Sequence, residues 1–299
     1  NSNGLIESVI MLTPQPPRPN RSRLMARWLG RNWARLRYAV RIEPTWLELN
    51  EAHISVRDLP ASFDGFRIVQ LSDLHCSHKV TPEFIGEAVD LAMAQEPDLI
   101  VLTGDFVHKG FRHVPAAAAS VARLTAPHGV YAVLGNHDHS IRSTLGIPRY
   151  RHLHRAVAEA LAGHGIRVLR NETVTLARDG AEVYLTGLDD LWSRRCDPNT
   201  AMCGLDPARP RVVLAHNPQT VERLNGHRCD LMLSGHTHGG QVDWPGLGRV
   251  TLGKKARRFA AGLYRLEDTH LYVNKGVGFG FKFRFNVRPE VAVLTLCVE

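Results

Sequence analysis

Five apolar runs in this chain each end in side chains that can give a lone pair to a metal ion. Phe66–Leu71 leads into Ser72-Asp73-Leu74-His75, and Asp98–Thr103 into Gly104-Asp105. Tyr131–Leu134 leads into Gly135-Asn136-His137-Asp138, and Val212–Ala215 into His216-Asn217. Leu231–Ser234 leads into Gly235-His236-Thr237-His238-Gly239-Gly240. Carboxylate, imidazole and amide without thiolate suit manganese, zinc or iron better than a sulfur-rich structural site would. Seven candidate ligands, Asp73, His75, Asp105, Asn136, His216, His236 and His238, are too many for one ion and suit two that share a bridging carboxylate. Two divalent ions outweigh the two carboxylates Asp73 and Asp105, so the site stays electropositive. It calls for a hydroxide and an anionic substrate, and a phosphoryl oxyanion meets both needs.

Each fragment alone is weak: an Asp-x-His pair occurs by chance, and Gly-Asn-His-Asp reads equally as a turn. In this order, each after an apolar run, coincidence becomes a remote reading. Eleven further histidines match no ligand position and are expected at the surface or hydrogen-bonded. Among them His139, beside the Asn-His-Asp turn, is the candidate for contact with substrate.

The elements that must carry these residues follow from the apolar runs. Continuous Val, Ile and Leu stretches predict strands buried on both faces. In such sheets sites form outside the carboxyl ends of the strands. Residues two apart on extended backbone share a side, so Asp73 and His75 are expected to reach one site together, and likewise His236 and His238. Gly104, Gly135 and Gly235 stand where the chain must leave the strand. Pro82–Gln95 and Arg151–Ala162 are predicted helices, and Gly262–Leu266, His270–Val273 and Val291–Leu296 further strands. This is an α/β or layered α+β domain. Phe279 to Phe285 alternates Phe with Gly, Lys282 and Arg284. As a strand it would place four Phe on one face, either as core or as an apolar lip beside the metals, with Arg284 or Arg288 binding a phosphate.

The net charge is +8, and between Ser8 and Ile42 there are eight arginines and no acidic residue. The basic character therefore belongs to one N-terminal segment, and a nucleic-acid-binding face spread over the fold is not expected. Residues 1–20 read as a leader or remnant with an extended, Pro-rich stretch. Residues 21–41 read as a basic amphipathic helix, with Met25, Leu29, Trp33, Leu36 and Val40 on one face and Arg23, Arg27, Arg31 and Arg35 on another. Such a helix either packs its stripe on the domain or lies in an anionic membrane surface, the reading favoured here. Five cysteines without a Cys-x-x-Cys point to a reducing compartment.

The motifs Asp73-x-His75, Gly104-Asp105, Gly135-Asn136-His137-Asp138, a lone His216 and Gly235-His236-Thr237-His238 resemble the calcineurin-like metallophosphoesterase superfamily. Gly-His-Thr-His-Gly-Gly-Gln and the late Arg-Pro-Glu look like its bacterial, membrane-associated phosphodiesterase branch, which includes enzymes acting on UDP-2,3-diacylglucosamine in lipid A synthesis. The resemblance implies a four-layer α/β/β/α fold over residues 50–299. It implies that Asp73, His75 and His238 hold one metal, that Asn136, His216 and His236 hold the other, and that Asp105 bridges them. Manganese is the first expectation, with zinc or iron as alternatives. His137 would give a proton to the leaving oxygen. One position departs: where the family often has Gly-Asp-x-x-Asp, this chain has His108. The expected function is hydrolysis of a phosphodiester or pyrophosphate in a lipid-linked substrate, by an enzyme at the cytoplasmic face of the membrane. The alternatives are a soluble phosphoesterase acting on nucleotides, nucleic acid or phosphoproteins, and a non-catalytic scaffold, which should have lost ligands.

Overall fold

The computed structural model describes residues 33–143 and 146–299. The expected leader 1–20 and most of the expected basic helix 21–41 lie outside the described residues; residues 33–41 are helical. Tyr38–Glu299 forms one compact unit.

That unit is built on two six-stranded sheets. The first runs in the order β1 (Glu48–Val56), β12 (Glu290–Val298), β2 (Arg67–Leu71), β3 (Leu99–Thr103), β4 (Val130–Val133), β5 (Arg167–Val168). The second runs β10 (Gly262–Leu266), β11 (Thr269–Val273), β9 (Leu231–Ser234), β8 (Arg211–Leu214), β7 (Ala181–Gly187), β6 (Glu172–Arg178). From β2 to β5, and through β7, β8, β9 and β11, neighbours are parallel. All the ligand-bearing strands therefore end on one side of their sheets.

The apolar runs are continuous because each strand feeds two cores. Ile100 and Leu102 face the helices Pro82–Met93, Val114–Val121 and Leu153–Ala162, where they meet Ile85, Val89, Val121 and Val157. Val101 between them points the other way, into a core shared with Leu185, Leu214 and Leu233 of the second sheet. Along β9, Leu231 and Leu233 enter that same inter-sheet core, while Met232 faces a third core with Met202, Leu224 and Phe259 under short helical turns. Three cores between four layers are the α/β/β/α arrangement. One buried polar side chain spans the central core: Gln70 donates to Thr103 Oγ1 of β3 at 2.8 Å and to the Ser234 carbonyl of β9 at 2.9 Å. It locks the two sheets together just before three of the ligand-bearing ends.

The expected Phe279–Phe285 strand is absent; the segment is irregular, with only Phe285 in an isolated bridge to Val242. Phe279 and Phe285 are buried, whereas Phe281 is exposed, so the alternation does not sort the four rings onto one face. The physical reason is that its backbone groups bond to a side chain instead of a strand: Gln241 donates to the Phe281 and Phe283 carbonyls and accepts from the Gly280 amide.

Candidate metal centre

At the carboxyl ends of β2, β3, β4, β8 and β9 the seven candidate ligands converge into two adjoining clusters. Asp73, His75 and His238 form one; Asp105, His216 and His236 form the other. Asn136 joins the second, its Oδ1 lying 3.2 Å from His216 Nε2 and 2.9 Å from His236 Nδ1. Asp105 sits between them. Its Oδ2 lies 3.5 Å from His75 Nε2 and 3.3 Å from His216 Nε2, while its Oδ1 accepts the His137 amide at 2.8 Å. One carboxylate oxygen is thus left to face both clusters.

The backbone that delivers these groups is not extended. Asp73, His75, Asp105, His236 and His238 all have φ between 47° and 72°. For residues with a Cβ this left-handed region is costly and clusters at functional sites. Shared-side geometry of extended backbone therefore does not apply: His236 and His238, two residues apart, enter different clusters of the one site. Backbone hydrogen bonds hold the strain, with the Asp73 amide donating to the Gly104 carbonyl and the His75 amide to the Asp105 carbonyl, both at 2.9 Å. At Gly235 the approach is so close that a Cβ would overlap Ser72 Oγ and Asp73 Oδ2.

The donors are oriented from behind. His216 Nδ1 lies 2.7 Å from the Thr103 carbonyl, which can only accept, so Nδ1 carries a proton and Nε2 is the nitrogen turned toward Asp105. Burial, then repulsion by His216, drops His236 to about 3. Burial and the neighbouring imidazole of His137 hold His75 well below the usual imidazole range. These rings are neutral lone-pair donors at ordinary pH. Burial opposes ionisation of Asp105, but His216, His137 and His75 hold its carboxyl well below the usual range. Burial alone would lower His216, yet Asp105 lifts it to about 10. A dication would take over the part that this proton plays.

The donor set fits metal ions. Asp73 Oδ1 is buried without a hydrogen bond, 3.2 Å from His238 Nε2, and the Nε2 atoms of His75 and His238 face each other at 2.9 Å. Inward-facing lone pairs this close are what a cation satisfies.

His137 stands apart from both triads. Its ring meets His75 edge-on at 4.7 Å, and its Nδ1 lies 2.8 Å from the His108 carbonyl. That carbonyl accepts the Nδ1–H hydrogen bond and leaves Nε2 without a partner on this side. His108, the departure from the family pattern, therefore orients His137 through its backbone, and its own ring reaches the same group as His75 and His137. Sequence reasoning left His108 among the unassigned histidines. It also gave no part to Asp138, which is wholly buried and accepts from the amides of Asp105, Gly135 and Phe106, so it shapes both ligand loops at once. Trp192, likewise unforeseen, packs edge-on against His236 at 4.5 Å. The motifs marked the positions of His108 and Asp138 but not their parts, and gave no signal for Trp192, because each acts by placement alone.

The expected substrate-side residues lie elsewhere. Arg284 has no exposed surface, and its guanidinium donates to the carbonyls of Lys275, Gly276, Gly278 and Val287. Wholly buried, with both terminal nitrogens bonded to backbone, it is closed off from an incoming phosphate. It instead secures the loop whose Gly276 backs onto Asp73 and His238. Arg288 stacks on Trp46 at 4.0 Å and donates to the Trp46 and Leu47 carbonyls. His139 is buried, its Nε2 2.7 Å from Asp189 Oδ1, in a cluster completed by Arg170. It braces the Asn136-His137 turn from behind and does not line the site. A cavity of about 680 Å³ beside Arg228, Cys229 and Phe259 includes none of these residues, so chemistry rather than concavity locates the centre.

Residues 66–240 match the model of the calcineurin-like phosphoesterase family. The chain is 34% identical over 264 residues to the uncharacterised metallophosphoesterase YkuE of Bacillus subtilis (strain 168), covering 87% of this chain and 88% of that one. It is 36% identical over 256 residues to phosphodiesterase YaeI of Escherichia coli (strain K12), covering 85% and 90%. It is 28% identical over 305 residues to the UDP-2,3-diacylglucosamine pyrophosphatase LpxG of Chlamydia trachomatis serovar D, covering 88% and 93%.

Proposed function

Because the chain belongs to the calcineurin-like phosphoesterase family and is a phosphoester hydrolase, we propose that it works with two divalent cations, manganese first, on a phosphodiester or pyrophosphate bond in a lipid-linked substrate. The observation that carries the dinuclear reading is Asp105, whose Oδ2 faces both clusters while Oδ1 is tied to the His137 amide. Asp73, His75 and His238 would hold one ion and Asn136, His216 and His236 the other, with Asp105 common to both. Bound there, the ions supply Lewis acidity toward phosphoryl oxygens and activation of water.

The chain's own groups account for the rest. The strained, hydrogen-bonded backbone presets the donors, so little reorganisation is needed on binding. His137, with Nδ1 committed to the His108 carbonyl, offers Nε2 to the leaving oxygen as its proton donor. A substrate such as UDP-2,3-diacylglucosamine is supported by the likeness to LpxG along nearly the whole of both chains. With such a substrate the enzyme would work at the cytoplasmic face of the membrane.

The test is metal removal and substrate choice. Chelation is expected to abolish hydrolysis of an aryl phosphodiester, and Mn²⁺ to restore it. The acylated nucleotide sugar is expected to show a higher kcat/KM than its deacylated counterpart, since buried acyl methylenes add about 0.8 kcal/mol each. Turnover in metal-free protein would overturn the dinuclear reading. Equal specificity constants for the two sugars would overturn the lipid-linked one.

A further inference from the structure

Directly after the last candidate ligand the chain makes a surface that the site chemistry does not use. Beyond the turn His238–Gly240 and Gln241, it runs out as the loop 243–253. Trp244 and Gly248 pair across a tight turn that puts Leu247 at the tip. Trp244 is 42% exposed, Leu247 70% and Val250 48%, and on a neighbouring loop Phe281 is 48% exposed. These tips spring from one base. Val242 bridges Phe285, the Asp243 amide donates to the Phe285 carbonyl at 2.8 Å, and the Trp244 and Phe285 rings lie 5.1 Å apart. Gln241 ties the same base to the backbone at Gly280, Phe281 and Phe283. The Thr251 hydroxyl bonds the Gly240 carbonyl, so the loop also returns to the His238 turn.

Charge accompanies the apolar tips. From Trp244 to Arg258 there is no acidic residue, but there are Arg249, Lys254, Lys255, Arg257 and Arg258. Arg249 is paired with Asp243 at 3.6 Å and Arg258 with Glu222 at 3.0 Å. Lys254, Lys255, Arg257 and Lys282 are exposed and form no ion pair among the described residues. Projecting Trp, Leu, Val and Phe side chains left in water mark an interaction surface. With unpaired cations following the loop and Lys282 beside Phe281, they match the boundary of an anionic bilayer, where apolar tips enter beneath the headgroups and cations meet phosphates. A protein partner is a poorer match, because lysine is depleted from protein interfaces.

We propose that the loop 243–253 together with Phe281 and Lys282 docks the enzyme on an anionic lipid surface beside the metal centre. The purpose of this docking rests on the lipid-linked reading above; its physical basis does not. The full chain is to be mixed with vesicles of phosphatidylglycerol and phosphatidylcholine, with brominated lipid as a quencher of tryptophan fluorescence. The expectation is that Leu247→Asp lowers vesicle partitioning roughly tenfold, that Trp244→Phe removes a quenched component, and that both variants hydrolyse a soluble aryl phosphodiester at the original rate. Undiminished quenching in Trp244→Phe, or unchanged partitioning of Leu247→Asp, overturns the proposal. If Leu247→Asp leaves the vesicles but the native protein does not cleave the acylated sugar, docking stands and the substrate reading falls.

Discussion

Replacing Arg284 by Ala separates two accounts of this residue. If Arg284 bound a substrate phosphate, its loss would raise KM for a pyrophosphate substrate and leave the fold intact. The structure demands the opposite. The side chain is fully buried, and four backbone carbonyls accept from it. A buried acceptor left without a partner costs about 1–3 kcal/mol. Water entering the space left by the side chain would recover some of them, which puts the loss at roughly 4–6 kcal/mol. Against a typical total of about 5–15 kcal/mol, that is a large fraction. The damage should be local first, because the Lys275–Gly278 backbone lies under Asp73 and His238, and metal content should fall with stability. Urea unfolding followed by fluorescence, with metal analysis of the purified variant, measures both. Arg284→Lys, which keeps the charge but cannot reach all four carbonyls, should fall between. An Arg284→Ala protein of native stability and metal content, altered only in KM, would refute this account.

Further outcomes follow from the same geometry. His137→Ala should keep its metal and lose roughly 10²–10⁴-fold in rate, less for substrates with good leaving groups; a metal-free variant would show that His137 is a ligand instead. Asp105→Ala should lose metal from both clusters together, measured as metal per chain, and retention of one ion would deny the shared carboxylate. Gly235→Ala should abolish activity without any change of polar chemistry, since its Cβ would overlap Ser72 Oγ and Asp73 Oδ2; native kcat/KM in that variant would mean the ligand loops are loose. Burial opposes ionisation of Asp189, but His139 and Arg170 hold its carboxyl well below the usual range. Its stabilisation is therefore present above the unfolded carboxylate pKa of about 4 and is lost as pH falls below it. Asp189→Asn should be less stable at neutral pH and flatten that acid-side fall in a denaturant series, and an unchanged profile would contradict the ion pair.

The ligands were legible in the amino-acid sequence because few residue types can bind a metal, and here they follow buried strands whose apolar runs are unmistakable. The same runs announced two-sided burial, as Val101 and Met232 show by facing away from their neighbours. Edge strands were only partly legible: β10 was expected over Gly262–Leu266, whereas β1 alternates exposed and covered residues and carries no continuous run. Arg284 was misread because alternation assigns faces only on extended, paired backbone, and the segment that holds it is bonded to Gln241 instead. His108 and Asp138 fell at motif positions, but their parts were not legible, because one acts through its carbonyl and the other by accepting backbone amides. The grouping of the ligands was also a tertiary outcome. Asp73 and His238 are far apart in sequence and meet only because two sheets pack face to face, and His236 parts from His238 because left-handed backbone at both turns them to different clusters. Residue chemistry determined what could be bound; the packing of one sheet on the other decided which side chains bind together.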